Sequence, residues 1–138
     1  MGVPKDARLV ASNEPKAWQT LGGDDAVARD RRFNEVTRVE PWKGHYRELR
    51  RAYVEGADHT DWEPRAEVAR RFDAGITEHL ALAGGRPLVA ATDGMAMTVW
   101  VKARLGLQSP GDSWADLRFP DAHLVDLDLG TVERALAL

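Results

Sequence analysis

The run from Pro87 to Gly94, PLVAATDG, constrains the fold of this chain more than any other feature. Four consecutive apolar residues, Leu88–Ala91, are typical of a strand in a parallel sheet that is covered on both faces. Thr92 and Asp93 follow at the carboxyl end of this strand, and the segment Met95–Leu105 predicts a helix directly after them. Ligands of open parallel sheets bind at the carboxyl ends of strands, so this strand end is the predicted floor of a ligand site.

Strand and helix patterns alternate along the rest of the chain. A second strand is predicted at Arg8–Ala11 and an edge strand at Arg32–Val36, with a polar loop at Asp24–Asp30 before it. Further helices are predicted from Pro15 to about Leu21, Tyr46 to about Glu55, Pro64 to Leu82, and Pro110 to Leu117. The buried stripe of the longest helix is predicted to be Val68, Phe72, Ile76, Leu80 and Ala83.

The last two apolar segments, Ala122–Leu127 and Thr131–Arg134, predict a terminal hairpin. Together the patterns predict one α/β domain over residues 1–138. Its architecture is expected to be a mostly parallel sheet flanked by helices, with the hairpin as an antiparallel edge.

Composition excludes several classes of function. The 138 residues include 19 basic and 22 acidic side chains, which are interspersed, so there is no basic stripe for nucleic acid. The chain has no cysteine, which excludes disulfides and thiolate chemistry. No apolar stretch reaches the roughly 18 residues of a membrane span, and the first residues lack a signal peptide. We therefore expect a cytoplasmic protein that binds neither membranes nor nucleic acid and carries no cofactor.

Polar residues at the two strand ends are the candidate ligand-binding residues. They are Ser12, Asn13, Lys16, Thr92, Asp93 and Gly94. Lys16 lies one helical turn after Ser12 and is either a point charge for phosphate or carboxylate, or a solvated lysine. Asp93 is either a ligand-binding carboxylate or simply the N-cap of the following helix. Glu35 is a candidate acid if apolar neighbours raise its pKa.

Metal and anion sites have weaker signals. The four histidines, His45, His59, His79 and His123, show no metal-ligand spacing, so no metal site is predicted. The cluster of Asp58, His59 and Asp61 is better explained as a solvated loop than as a cation site. Arg47, Arg50, Arg51 and Arg65 either clamp an acidic ligand or pair with Glu48, Glu55 and Asp58 at the surface.

Three segments in order resemble the histidine phosphatase (phosphoglycerate mutase-like) superfamily. They are SNEPKAWQT at Ser12–Thr20, RRFNE at Arg31–Glu35 and LVAATDG at Leu88–Gly94, and the resemblance spans about Arg8 to Arg134. The family's second motif has the form Ser-x-x-x-Arg-Ala-x-Gln-Thr, a later segment carries Leu-x-Glu, and a third motif ends a strand in Ser-His-Gly. The resemblance implies the family's fold and a site at the same strand ends.

Two departures from the family change the expected chemistry. The family's first strand, which ends in Arg-His-Gly and carries the phosphoryl-accepting histidine, has no counterpart in the seven residues before Arg8. The third-motif histidine corresponds to Asp93, and the phosphate-binding arginine corresponds to Lys16. Glu35 matches the family's proton donor. The resemblance therefore implies a truncated, degenerate member without phosphoryl transfer, which serves as a small-molecule-binding or partner-interacting module.

Two other interpretations remain open. In the first, Asp93 and Glu35 form an acid/base pair for isomerisation, dehydration or cyclisation of a non-phosphorylated substrate. In the second, the start of the chain is misassigned or the chain is a gene remnant. The absent first strand also predicts unpaired sheet edges. We expect either that Ala122–Leu127 pairs directly with Leu88–Ala91, or that a second copy supplies the pairing in a homodimer.

Overall fold

The secondary structure alternates along the chain as the sequence predicts. A computed structural model describes residues 4–41, 43–118 and 122–134. Its elements are β1 (Arg8–Ala11), α1 (Pro15–Thr20), β2 (Ala28–Arg29), a 3-10 turn (Arg31–Phe33), α2 (Tyr46–Glu55), α3 (Arg65–Ala83), β3 (Leu88–Ala91), α4 (Gly94–Leu105), α5 (Pro110–Ala115), β4 (His123–Asp126) and β5 (Thr131–Arg134). None of the helices in these ranges has the length and apolar character needed to cross a bilayer.

β1 is the middle strand of a three-stranded parallel sheet of order β2-β1-β3. Val10 lies opposite Ala28 in β2 and Ala90 in β3. The helix α1 packs on one face of this sheet, and α3 and α4 pack on the other. Since parallel strands run in one direction, the carboxyl ends of β1 and β3 adjoin each other, and the Ser12 N–H donates to the Ala91 carbonyl at 3.0 Å. Both predicted ligand-binding strand ends therefore meet at one edge.

The third strand of the sheet is not where the sequence predicts it. The segment Arg32–Val36 is not an edge strand, and the strand β2 lies instead in the predicted polar loop Asp24–Asp30. The Asp30 carboxylate accepts the backbone N–H of Arg32 at 2.9 Å and thereby caps the 3-10 turn. The capped turn directs the chain away from the sheet. The segment Arg32–Val36, in which apolar residues alternate only weakly, therefore does not continue as a strand.

The terminal hairpin forms a sheet of its own. Val125 in β4 lies opposite Val132 in β5, and within the described residues β3 pairs only with β1. The prediction of an antiparallel edge on the main sheet is therefore wrong, as is direct pairing of Ala122–Leu127 with Leu88–Ala91. With no strand of the described residues on its outer edge, β3 is partly exposed along its whole length rather than buried. Pairing with a second copy stays a prediction.

Phe33 anchors the turn that precedes Glu35 to the main core. Its side chain is fully buried and meets the Phe72 ring edge-on, with 4.9 Å between ring centroids. Gly75 in α3 makes room for this ring, since a Cβ there would lie 2.8 Å from Phe33 Cζ. The predicted stripe of α3 is buried except for Leu80, which is 38% exposed.

Gly75→Ala is expected to lower the free energy of unfolding by about 1 kcal/mol, measured by urea denaturation. Alanine favours a helix by about 1 kcal/mol over glycine, but overpacking a filled core costs about 1–3 kcal/mol. The double variant Gly75→Ala with Phe33→Leu should lose less than the sum of the two single variants, because the smaller side chain relieves the clash. A Gly75→Ala protein more stable than the wild type would contradict this packing.

Candidate functional site

Three carboxyl groups meet where β1 and β3 end. Glu14 follows β1 at the N-cap position of α1, Asp93 follows β3 at the N-cap position of α4, and Glu35 lies just past the 3-10 turn. Glu14 Oε1 accepts the backbone N–H of Glu35 at 3.0 Å, and the Glu14 and Asp93 carboxyl groups are hydrogen-bonded to each other. The three residues come from different segments of the chain, so it is the sheet that assembles them.

The Glu35 carboxylate occupies the N-terminus of α4. Its Oε2 accepts the N–H of Met95 at 3.2 Å, and its Oε1 accepts the N–H groups of Ala96 at 2.8 Å and Val36 at 3.0 Å. Burial raises the pKa of Glu35, and these three N–H groups act in the opposite direction. Helix N-termini bind anions through such amides. In this protein an internal carboxylate already holds two of them.

Asp93 has the most strongly perturbed carboxyl group of the site. Burial, the hydrogen bond and charge of Glu14, and the charge of Glu35 together raise the pKa of Asp93 to about 8, against a smaller opposing effect of Arg38. The raised pKa favours the protonated form of this carboxyl group at neutral pH. Although it stands at the N-cap position, its side chain makes no capping bond, so the simple N-cap interpretation is wrong. Its Oδ2 is buried and has no hydrogen-bond partner in the described part of the chain.

Ser12 and Thr92 support the strand ends through backbone contacts. Ser12 is fully buried, and its Oγ accepts the N–H of Glu14 at 3.3 Å. The Thr92 hydroxyl donates to the Phe33 carbonyl at 2.6 Å. Both hydroxyls therefore fix the backbone that carries the carboxyl cluster, and each is already engaged within the protein.

The other predicted binding residues surround this cluster. Asn13 is exposed, and its N–H donates to Asn34 Oδ1 at 2.8 Å. Lys16 stands exposed on α1, as a solvated lysine would. Gly94 begins α4 under the Leu117 side chain, whose Cδ1 would lie 2.8 Å from a Cβ at this position. A Cβ here would push aside the end of the Leu117 side chain.

A second polar cluster has the composition of a metal site but not its chemistry. Single ligand atoms of Asp30, Glu78 and His79 lie within 4.8 Å of one another. However, Arg8 Nε donates to His79 Nδ1 at 3.2 Å, so His79 Nε2 carries the proton and donates to Asp30 Oδ2 at 2.8 Å. Arg32 pairs with both Asp30 and Glu78. The cluster is therefore an ion-paired network that ties α3 to β1 and the 3-10 turn.

The loop with Asp58, His59 and Asp61 is also explained by internal contacts. His59 Nε2 lies 2.8 Å from the Leu49 carbonyl, and Asp58 pairs with Arg65. The other predicted clamp arginines have partners too: Arg50 with Glu40, Arg51 with Glu55 and Asp112, and Arg47 over the Trp114 ring. Of the pairings predicted with Glu48, Glu55 and Asp58, those of Arg51 with Glu55 and of Arg65 with Asp58 are found, whereas Glu48 pairs with His45.

Glu14 is the residue of this site that the sequence does not mark as a candidate binding or catalytic residue. Its position directly before Pro15 marks it only as the start of a helix. The one signal for its role is its place at a strand end, which it shares with Asp93. Sequence alone gives no distance between the two strand ends.

The fold and the site define an α/β protein with a carboxyl cluster at the carboxyl ends of its parallel strands. No family model matches the chain, and no curated protein matches it either. Among solved structures, Mycobacterial hydrolase 1 has a similar fold, with a TM-score of 0.56 and 25% sequence identity. The match covers 82% of this chain and 64% of that structure, so the chain spans less than two thirds of the hydrolase's length.

Proposed function

We propose that this protein is a histidine-phosphatase-like protein that has no phosphoryl-transfer activity and binds a small molecule at the ends of β1 and β3. The observation that carries this proposal is the Glu35 carboxylate on the N-terminal amides of α4. A phosphate at this position would meet a carboxylate in place of free N–H groups. The resemblance that motivates the family assignment has an aspartate, Asp93, where the family has a phosphate-binding histidine.

The ligand is expected to be neutral or cationic and to offer hydrogen-bond donors. The site presents three carboxyl groups, and the Oδ2 of Asp93 is buried. A ligand hydroxyl or amine can exchange hydrogen bonds with these carboxyl groups, whereas an anionic ligand adds repulsion.

The purified protein is expected not to hydrolyse p-nitrophenyl phosphate above the buffer blank, measured as release of p-nitrophenolate. The reason is that Asp93 stands where the family has a phosphate-binding histidine, and the Glu35 carboxyl group accepts the α4 amides that a phosphate would use. Turnover that is retained in pure protein and abolished by Glu35→Ala would contradict the proposal.

Ligand binding itself is tested by thermal shift with the full chain. Inorganic phosphate is expected to give no stabilisation, while a panel of amines, sugars and other uncharged metabolites should contain compounds that raise the melting temperature. Asp93→Asn should reduce the shift for those compounds, and Asp25→Asn, at an exposed aspartate, should leave it unchanged. Stabilisation by phosphate alone would reverse the proposed ligand class.

Acid/base catalysis is a second candidate function, favoured by the pKa of Asp93. A carboxyl group with a pKa of about 8 holds its proton at neutral pH and is suited to act as a general acid. We propose Asp93 and Glu35 as the pair, with Glu14 as the neighbouring carboxyl group, for isomerisation, dehydration or cyclisation of a non-phosphorylated substrate. With any ligand found above, Asp93→Asn and Glu35→Gln should abolish product formation if this candidate is correct, while a binding module forms no product.

A further inference from the structure

A groove of about 340 Å³ lies between β3 and the terminal hairpin. Its walls are Leu88 and Ala90 of β3 on one side, and Leu124 and Val125 of β4 on the other. Its floor is apolar and comes from α3 and α4. The floor residues include Phe72, Ile76, Met97 and Trp100, and the Phe72 and Trp100 rings stack with centroids 5.3 Å apart. The helical layer therefore extends beyond the last strand of the sheet.

The edge of β3 that faces this groove is open. The Arg8 N–H donates to the Pro87 carbonyl at 2.9 Å, and the Ser12 N–H donates to the Ala91 carbonyl at 3.0 Å. In a parallel strand the backbone groups alternate in direction, so those of Leu88 and Ala90 point away from β1. Within the described ranges no strand pairs with β3 on that side. The same two residues line the groove, so an open row of N–H and C=O groups borders an apolar floor.

Charge in the groove is one-sided. Among the residues that the structure describes, its ionisable lining residues are Arg86 and His123, and none of the lining side chains is acidic. Arg86, beside the amino end of β3, donates to the carbonyls of Ala83 and Leu82 and has no carboxylate partner among the described residues. An acidic group placed beside Arg86 is therefore complementary to this end of the groove.

We propose that the groove binds one extended peptide segment of a partner protein, which pairs with the open edge of β3. The segment lies parallel to β3, directs alternate apolar side chains onto α3 and α4, and places an acidic residue beside Arg86. An apolar small molecule fits the floor but leaves the backbone groups of Leu88 and Ala90 unpaired. An extended strand fills the apolar floor and also pairs with these backbone groups. Strand addition forms backbone hydrogen bonds at a sheet edge and places every second side chain in a pocket. This inference concerns a surface apart from the carboxyl cluster and does not depend on the proposed function.

The experiment measures fluorescence anisotropy of a labelled, end-blocked peptide, DVTVTV, on titration with the full chain. Saturable binding is expected. Leu80→Lys should weaken binding by about tenfold or more, since it sets a charge against the apolar groove, and Leu82→Lys should change it less than about twofold. The two leucines are matched, because both are exposed on α3, at 38% and 56%, and only Leu80 lines the groove. Thermal melts of both variants check that each remains folded.

A second pair of peptides tests the backbone pairing. Methylation of alternate backbone nitrogens removes the N–H donors that face β3 and should weaken binding by about tenfold or more. KVTVTV, in which a lysine replaces the acidic residue, should also bind more weakly than DVTVTV. The proposal is overturned if the wild-type protein does not bind DVTVTV, if the methylated peptide binds equally well, or if both lysine variants behave alike. It is also overturned if light scattering shows a dimer that Leu80→Lys dissociates, because a second copy is then the occupant.

Discussion

Glu35→Ala is expected to lower the free energy of unfolding by about 3–5 kcal/mol, measured by urea denaturation at neutral pH. The Glu35 carboxyl group accepts the N–H groups of Met95 and Ala96 at the start of α4, and a buried N–H left without an acceptor costs about 1–3 kcal/mol. Its removal leaves both amides inside the protein without an acceptor. The largest disturbance should appear at the N-terminus of α4, where hydrogen exchange of these two amides should speed up.

Two matched variants separate this effect from a general loss of charge. Glu35→Gln keeps one acceptor oxygen but turns an NH₂ group toward the helix amides, so its stability should lie between wild type and Glu35→Ala. Glu48→Ala removes a glutamate that is 71% exposed on α2 and should change stability by less than about 0.5 kcal/mol. If Glu35→Ala costs no more than Glu48→Ala, the carboxylate does not hold the start of α4.

Asp93→Asn is expected to change the pH dependence of stability. The pKa of Asp93 is about 8 in the folded protein and 3.8 for an ordinary aspartate, so between these values the folded state binds more protons than the unfolded state. Wild-type stability should therefore decrease as the pH rises from about 4 to about 8, because unfolding releases the Asp93 proton. Asparagine does not titrate, so the variant should lack this part of the decrease.

The expected stability difference between Asp93→Asn and wild type depends on the pKa shift of Asp93 and on how exposed its carboxyl group is. A shift of this size corresponds to more than about 5 kcal/mol at 1.36 kcal/mol per pKa unit, but Asp93 is only half-buried and solvent screens it. We expect Asp93→Asn to be more stable than wild type by on the order of 2 kcal/mol at pH 8, with little difference at pH 4. Asp25→Asn, at an exposed position, should follow the wild-type curve. Parallel pH curves for wild type and Asp93→Asn would show that Asp93 ionises normally.

Local patterns in the sequence predict the helices and the site's strand ends well. The helix α3 has a clear apolar stripe, and Thr92, Asp93 and Gly94 follow an uninterrupted apolar strand, so the turn into α4 is visible in the sequence. The strand β2 has only two residues, which is too short for a pattern of alternating apolar residues to be visible in the sequence. It forms because the chain passes beside β1 at that point. Pairing partners, unlike periods, are not encoded in any short segment.

The hydrogen-bond partners of side chains show the same limit more strongly. Arg8 and His79 are 71 positions apart, and His79 and Asp30 are 49 apart, yet they share one hydrogen-bonded network. The contact of Glu14 with Asp93 likewise depends on β1 and β3 being neighbours. Residue types alone therefore identify Asp93 and Glu35 as candidates, but not the residue that shares a hydrogen bond with Asp93. The family resemblance predicts the same strand ends and remains a prediction.

The contact of Phe33 with Gly75 has a consequence for any ligand of the carboxyl cluster. Phe33 is wedged into α3 two residues before Glu35, and its carbonyl receives the Thr92 hydroxyl from the other strand end. The backbone beside Glu35 is therefore anchored to the core, and the Glu35 carboxyl group is itself held by three N–H groups. A ligand of this carboxyl group, as proposed above, would meet a side chain whose ordering entropy has largely been lost in folding.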